Sequence, residues 1–291
     1  MKSILVTGAS GQLGQEFKAL ALKFPVYHFL FAGRSDIDLS NPVSMESYFH
    51  SHQIDICINC AAYTAVDKAE TETEECIAIN VDGVGFLAAL CENQQIPLVH
   101  ISTDYIYHSK QNRPYIESDI PNPQGVYAKT KYAGEHQALE KNHRAMVIRT
   151  SWVYSSFGNN FVKTMMRLGR ERDDLNVVFD QIGTPTYAQD LALAVVSIID
   201  RIECGSISWE EASGVYNYSN EGVASWYDFA KAIFDLTGIQ CNLQPIRTEQ
   251  FPTPAPRPAF SLMDKSLIKE TFKLEIPYWR DSLEKMLKMV Q

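Results

Sequence analysis

The sequence predicts an α/β protein with a doubly wound parallel sheet and a second, smaller lobe. Short apolar runs such as Ile4-Leu-Val6 alternate with segments of helical periodicity over residues 1–152. The first run passes through a glycine-rich turn into a helix. Beyond residue 152 the alternation loosens, and we expect that part of the chain to pack over the strand ends.

The glycine-rich turn has the spacing of a dinucleotide-binding (Rossmann) loop. Gly8 allows a tight turn, Gly11 lets a pyrophosphate approach the backbone, and Gly14 lets the helix pack closely on the strand. The helix amino terminus then offers free N–H groups and a partial positive charge to the phosphates. The turn residues that we expect at the cofactor also include Ser10, Gln12 and Leu13.

Further elements of the first lobe follow in order along the chain. Apolar or small-residue runs predict strands at 26–34, 54–60, 96–103 and 145–152, and helical spacing predicts helices at 43–53, 80–90 and 127–135. Four strand–helix units in series predict a parallel sheet whose ligands lie at the carboxyl ends of its strands.

The remaining chain is expected to form the smaller lobe. We predict helices at 161–169, 189–199, 225–237, 264–269 and 280–290 and a strand at 176–179, and five of the 13 prolines predict a surface loop at 245–258. The expected division is residues 1–152 with 182–202 in the dinucleotide-binding domain, and residues 153–181 with 203–291 in the substrate-binding lobe.

Composition restricts the partners. A net charge of −9 argues against nucleic acid or an anionic membrane surface as a partner, and no apolar run approaches the roughly 18 residues of a membrane span. Cys57 and Cys60 form a C-x-x-C within a predicted core strand, whereas redox-active versions of that motif begin a helix. We expect a reducing, cytoplasmic location.

Residues after the second and third strands bear on the cofactor. Roughly 20 residues beyond Gly14, where a ribose-binding acid commonly stands, the chain has Arg34, which pairs with a 2′-phosphate and favours NADPH. Asp36 is near enough to keep NADH possible. The other residues that we expect along the dinucleotide are Asp38, Leu39, Ala61, Ala62 and Tyr63.

Tyr127 and Lys131 lie four residues apart on a predicted helix, so both side chains project from one face. A lysine charge favours the phenolate and lowers a pKa that is otherwise about 10, which predicts Tyr127 as a general acid. Thr103 ends the preceding strand and is expected to meet this pair. Tyr227 and Lys231 repeat the spacing, but their aromatic helix is more simply core.

These motifs together resemble the extended short-chain dehydrogenases/reductases. Segments 59–70, 102–107, 149–154 and 180–186, together with Arg257, resemble the dTDP-4-dehydrorhamnose reductase family nearly end to end. The resemblance implies an oxidoreductase of nucleotide-sugar biosynthesis that transfers a hydride from NADPH to the C4 ketone of dTDP-4-dehydro-L-rhamnose, giving dTDP-L-rhamnose.

The resemblance also implies roles for individual residues. Tyr127 would protonate the new alkoxide, Thr103 would hydrogen-bond the same oxygen, and Lys131 would hold the nicotinamide ribose. Asp104, Tyr105 and Trp152 would bind the sugar, and Arg257 would supply positive charge to the diphosphate. Since Tyr105 follows Asp104 where related dehydratases place a glutamate, dehydratase activity is not expected.

Two other functions and the assembly remain open. A non-catalytic NADP-binding regulatory subunit, like the β subunit of methionine adenosyltransferase, would keep the same glycines, and a sugar-nucleotide epimerase would hold NAD tightly. Some family members dimerise through a metal held by glutamates. Glu16 fits the first ligand, but segment 187–190 offers no glutamate, so we expect no metal and either a monomer or a homodimer.

Overall fold

The computed structural model describes residues 1–290, and its centre is a parallel sheet covered by helices on both faces. The elements of its first half are β1 (Lys2–Thr7), α1 (Gln12–Ala21), β2 (Tyr27–Ala32), α2 (Pro42–Ser51), β3 (Ile56–Asn59), α3 (Thr73–Ile77), α4 (Val84–Asn93), β4 (Leu98–Thr103), α5 (Gly125–Lys141) and β5 (Ala145–Thr150). A π-helical stretch, Ala78–Gly83, joins α3 to α4.

The second half contains shorter strands and more irregular connections. Its elements are β6 (Val153–Tyr154), α6 (Phe161–Glu171), β7 (Asp174–Val178), β8 (Ile182–Gly183), β9 (Thr186–Tyr187), α7 (Ala188–Glu203), α8 (Trp209–Ala212), β10 (Gly214–Asn217), β11 (Ala224–Ser225), α9 (Trp226–Thr237), β12 (Asn242–Ile246), α10 (Ser266–Phe272) and α11 (Trp279–Leu287).

The central sheet has the order β2-β1-β3-β4-β5-β10, and its paired strands run parallel. Ile4, Leu5 and Val6 of β1 are fully buried, as a strand covered on both faces requires. The strand order reverses between β1 and β3, which creates a crevice at their carboxyl ends. The predicted doubly wound parallel sheet is confirmed.

Two apolar layers cover this sheet. Phe17 of α1 and Leu191 of α7 belong to the core on one face, whereas Leu87 of α4 and Ala138 of α5 belong to the core on the other. Helices α4 and α5 pack directly on each other, which fixes the helix that carries Tyr127. Among residues 1–290, no helix combines the length and apolar character needed to cross a bilayer.

A third core belongs to the smaller lobe. It contains Val162 of α6, Phe229 of α9 and Leu283 of α11, and β12 pairs with β7 at its side. This lobe lies beside the carboxyl ends of the central strands, where side chains from both lobes line one cleft.

One part of the expected domain division differs from the structure. Strand β10 pairs with β5 in the central sheet, and Ile268 and Phe272 of α10 pack in a core of that sheet, although both segments were expected in the smaller lobe. Only two apolar side chains, Val215 and Tyr216, stand in Gly214–Asn217, so the sequence shows no clear apolar run there, and only the pairing with β5 reveals β10. The segment 245–258, predicted as a surface loop, begins with the last two residues of β12.

Candidate active site

A cleft of about 660 Å³ opens at the carboxyl ends of β1, β3, β4 and β5. Its walls come from the glycine-rich loop, the ends of the central strands, the start of α5 and the smaller lobe. The predicted residues that line it are Gly8, Ser10, Gly11, Gln12, Leu13, Gly14, Arg34, Asp38, Leu39, Ala61, Ala62, Thr103, Asp104, Tyr105, Tyr127, Lys131 and Trp152.

The glycine-rich loop has the conformation that a dinucleotide requires. Gly8 has a φ of +64°, and a Cβ atom there would lie 2.7 Å from the backbone nitrogen of Ala61. A Cβ on Gly14 would lie 2.6 Å from the Cα atom of Ala9, so only glycine permits this helix–strand contact. Gly11 caps α1 without a side-chain hydrogen bond, which leaves the first N–H groups of the helix for an anion.

Arg34 lies on the cleft wall beyond β2 and is held by two carboxylates. Its Nη2 atom is 3.2 Å from Oε1 of Glu75, and its Nε atom is 3.5 Å from Oδ2 of Asp38. The side chain is 67% exposed, so the guanidinium remains accessible to a phosphate. The hydrogen bond that Arg34 donates to Glu75 and the charge of Asp38 raise the pKa of Arg34, which stays charged.

Tyr63 differs from the other predicted cofactor residues. Its hydroxyl donates to Glu72 and its backbone N–H donates to Oδ1 of Asn80, at 2.9 Å. In the part of the chain that the structure describes, Tyr63 is outside the cleft lining, whereas Ala61 and Ala62 are part of it. The structure thus turns the Tyr63 side chain towards α3.

Thr103, Tyr127 and Lys131 converge at the base of the cleft. Thr103 ends β4, Tyr127 lies in the first turn of α5, and Lys131 lies one turn further along the same helix. The Lys131 Nζ atom donates to the carbonyl oxygen of Ile101 at 2.8 Å and lies 3.5 Å from Nε2 of His100. The backbone of β4 therefore holds the ammonium group in place.

The expected depression of the Tyr127 pKa is wrong for the protein without ligand. Burial raises the pKa of Tyr127, the Thr103 hydroxyl lowers it only in part, and the neighbouring Tyr105 and Asp104 raise it further. The Lys131 ammonium hydrogen-bonds the Ile101 carbonyl and does not offset this burial. A phenol that stays protonated at neutral pH is nevertheless the form that a general acid needs.

Burial also shifts the pKa of Lys131, in the opposite direction. Removal from water lowers its pKa to about 8, although Glu135, one turn away on α5, raises it in part. Lys131 thus remains largely an ammonium ion at pH 7. The pKa of its neighbour His100 is lowered well below the ordinary range, first by burial and then by the Lys131 charge.

Asp104 presents an unsatisfied oxygen in the cleft. The residue is 1% exposed, and its Oδ2 atom has no hydrogen-bond partner among the described residues, whereas Oδ1 accepts a bond of 3.3 Å from Thr103. Burial raises the pKa of Asp104 to about 7. A buried acceptor of this kind indicates a place for a ligand hydroxyl.

Arg257 reaches the same region from the smaller lobe. Its Cζ atom lies 5.8 Å from the centre of the Tyr105 ring, and its Nη2 atom lies 2.9 Å from Oδ1 of Asp67. The residue is outside the cleft lining of the described chain, but its Nη1 atom is buried without a partner there. One N–H face of the guanidinium is therefore left for an anion at the rim.

Sequence reasoning missed Trp226, which joins Trp152 in an aromatic wall. The two indole rings stack with centroids 3.7 Å apart, and both line the cleft. Trp152 has a φ of +47°, an unusual backbone conformation for such a side chain, at the turn after β5. The aromatic sequence around Trp226 favours a core helix, and only the packing of α9 places its first residue at the cleft.

Glu16 contacts the smaller lobe. Ser155 donates to its Oε1 atom at 2.6 Å and Gln189 donates to its Oε2 atom at 3.3 Å. The residue is fully buried, and burial raises its pKa. Among residues 1–290, no group of three metal-ligating side chains is found. Both carboxylate oxygens of Glu16 are thus satisfied within the chain.

Comparison with known proteins matches the whole chain to one family. A family model described as the RmlD substrate binding domain matches residues 1–291. A dTDP-4-dehydrorhamnose reductase of Sinorhizobium fredii is 39% identical over 288 residues, which cover 98% of this chain and 96% of the relative.

Solved structures agree with this match. A dTDP-4-dehydrorhamnose reductase of Clostridium acetobutylicum superposes with a TM-score of 0.92 at 39% identity and covers 99% of each chain. A dTDP-4-dehydrorhamnose reductase of Bacillus anthracis, solved in complex with NADP, gives a TM-score of 0.92 at 35% identity over the full length of both chains. The resemblance expected from the motifs is confirmed, and the chain belongs to the dTDP-4-dehydrorhamnose reductase family.

Proposed function

We propose that this chain reduces the C4 ketone of dTDP-4-dehydro-L-rhamnose to dTDP-L-rhamnose, with Tyr127 as proton donor, Thr103 as second hydrogen-bonding group and Lys131 as cofactor ligand. The observation that carries the proposal is the convergence of these three side chains at the base of a cleft whose other end is the glycine-rich loop. The three relatives described above, which match over nearly the full length of both chains, are dTDP-4-dehydrorhamnose reductases.

The cleft is suited to NADPH. The uncapped amino terminus of α1 would hold the diphosphate, Arg34 would pair with the 2′-phosphate, and Lys131 would hydrogen-bond the nicotinamide ribose. When bound, NADPH supplies the hydride that adds to the C4 carbonyl carbon. The tasks left for the protein are to orient the ketone and to deliver a proton to its oxygen.

Proton delivery falls to Tyr127. Thr103 and Tyr127 line the same part of the cleft, so both hydroxyl groups can approach one ketone oxygen. The buried phenol is protonated at neutral pH, and an alkoxide is a far stronger base than a phenolate, so the proton moves from Tyr127 to the oxygen as the alkoxide forms. The Lys131 ammonium, one helical turn away, would stabilise the phenolate that remains.

The remaining polar and aromatic groups would hold the nucleotide sugar. The free Oδ2 atom of Asp104 would accept from a sugar hydroxyl, and the free Nη1 atom of Arg257 would donate to the diphosphate. Tyr105 and the Trp152–Trp226 wall would pack against the hexose. We place the reaction in the cytoplasm, since the six cysteines are free thiols, and expect a monomer or a homodimer.

The test is NADPH oxidation by the purified protein with dTDP-4-dehydro-L-rhamnose, compared with UDP- and GDP-linked 4-keto sugars. We expect stoichiometric NADPH consumption with the dTDP substrate. A regulatory subunit would bind NADPH without consuming it, and an epimerase would carry tightly held NAD without net oxidation. Either result would refute the proposal.

A further inference from the structure

A short segment between β3 and α3 touches both the helix of Tyr127 and the loop of Arg257. The segment contains the 3₁₀ turn Lys68–Glu70. At its end, Oε1 of Glu70 accepts the backbone N–H of Val126 at 2.8 Å. Val126 lies in the first turn of α5, where no side chain of the helix itself caps the N–H groups. Glu70 thus accepts one of the N–H groups at the start of α5 that have no partner within the helix, one residue before Tyr127.

Gly125 fits closely into this junction. It has a φ of +75°, and a Cβ atom there would lie 2.7 Å from Oε1 of Glu70 and 3.2 Å from Cδ of Pro256. Only glycine combines that backbone conformation with such close neighbours. The start of α5 is therefore packed between the Glu70 carboxylate and the loop that carries Arg257.

Asp67 makes the matching contacts on the other side of the segment. Its Oδ1 atom lies 2.9 Å from Nη2 of Arg257 and accepts the backbone N–H of Ala255 at 3.2 Å. The Nη2 atom of the guanidinium is thereby bound to Asp67, whereas its Nη1 atom is buried and has no hydrogen-bond partner among the described residues. Asp67 orients Arg257 and leaves part of its hydrogen-bonding capacity unused.

Aromatic contacts connect Arg257 to Tyr127 by way of Tyr105. The Arg257 guanidinium lies over Tyr105, and the Tyr105 and Tyr127 rings meet edge to face with centroids 5.7 Å apart. Contacts thus run from Tyr127 through Tyr105, Arg257, Asp67 and Glu70 back to the start of α5.

We infer that Asp67 and Glu70 are positioning residues that connect the anion-binding guanidinium of Arg257 to the start of the helix that carries Tyr127. The inference rests on the proposed function. A diphosphate held by Arg257 would act through these contacts to fix Tyr127 against the ketone. Binding energy from a remote part of the substrate would in this way raise kcat. Neither carboxylate takes part in the chemistry.

Glu70→Ala tests the contact between Glu70 and the start of α5. We expect kcat to fall roughly 10- to 100-fold, because a displacement of about 1 Å at the reacting group costs that much, with the Kd of NADPH unchanged. Glu70→Gln keeps an oxygen acceptor for the Val126 N–H and should restore kcat to within about threefold. Glu74→Ala, at an exposed glutamate of α3, is the matched control and should behave as wild type.

Several outcomes would overturn the inference. Normal kcat in Glu70→Ala would do so, and so would a Gln variant as impaired as the Ala variant. If Glu70→Ala does not fold, Glu70→Asp, which withdraws the acceptor by one methylene, must show the selective loss of kcat. An active Tyr127→Phe enzyme would refute the proposed function itself. An inactive Tyr127→Phe enzyme with normal Glu70→Ala turnover would refute only the coupling.

A double-mutant cycle tests the contact between Asp67 and Arg257. Asp67→Ala should raise the KM of the nucleotide sugar and lower kcat, whereas the Asp67→Ala/Arg257→Ala enzyme should be no worse than Arg257→Ala alone, because Asp67 acts through Arg257. Fully additive losses would show that Asp67 acts independently and would overturn its assignment.

Discussion

The Glu135 carboxylate and the Arg149 guanidinium form an ion pair of 2.7 Å between α5 and β5, with side chains only 2% and 4% exposed. Ser102 of β4 also donates to Glu135, at 2.5 Å. Glu135 follows Tyr127 and Lys131 at intervals of four residues, so the same helix face carries the chemistry and its anchor.

Glu135→Ala should destabilise the protein by about 3–5 kcal/mol, because it leaves the Arg149 charge buried without a partner. Urea unfolding measures this loss. Glu140→Ala, at an exposed position of the same helix, should change the free energy of unfolding by no more than about 0.5 kcal/mol. Equal, small effects of both changes would show that the buried pair does not anchor α5.

Much of the fold and site follows from local sequence. The spacing of Gly8 and Gly14 predicts a tight turn and a close contact between helix and strand, and the spacing of Tyr127 and Lys131 identifies one helix face. Each of these signals lies within a few residues of sequence. Strand β10 and Trp226 could not be assigned to the sheet and the cleft, since their places depend on partners distant in sequence. The Tyr127 pKa likewise depends on burial between elements.

Asp104→Asn should stabilise the protein without ligand at pH 8 relative to pH 5. The carboxyl has a pKa of about 7 in the folded protein, against an ordinary value of 3.8, so the folded state binds an extra proton between these values and loses stability as pH rises through this window. The shift corresponds to up to about 4 kcal/mol, which the variant would recover at pH 8. Thermal unfolding at both pH values measures it, and an equal change in Tm at the two values would contradict the prediction.

The affinity for NADPH should fall as pH rises from 7 to 9.5. Lys131 has a pKa of about 8, so its ammonium form, the proposed ribose donor, is lost in this range. The neighbours Cys60 and Cys76 have raised pKa values and His100 a lowered one, each first through burial, and Glu135 is the nearby carboxylate. Fluorescence titration should show a Kd that increases several-fold. Lys131→Met should flatten the profile, and a flat wild-type profile would remove Lys131 from cofactor binding.

Arg34→Ala should weaken NADPH more than NADH. Only NADPH has a 2′-phosphate, and a charge-assisted contact of about 1.5–3 kcal/mol corresponds to roughly a 10- to 100-fold rise in Kd. The Kd of NADH should stay within about twofold. Lys23→Ala removes an exposed positive charge beyond α1 and controls for the general loss of charge. Equal losses for both cofactors would assign the 2′-phosphate to another residue.

The most direct test of the central claim is the single-turnover rate of Tyr127→Phe with saturating NADPH and dTDP-4-dehydro-L-rhamnose, measured beside the Kd of NADPH. Phenylalanine keeps the ring packed against Tyr105 but removes the proton. We expect an unchanged Kd and a rate at least about 10²-fold lower, the contribution of general acid catalysis. A rate within a few-fold of wild type would contradict the assignment of Tyr127 as the proton donor.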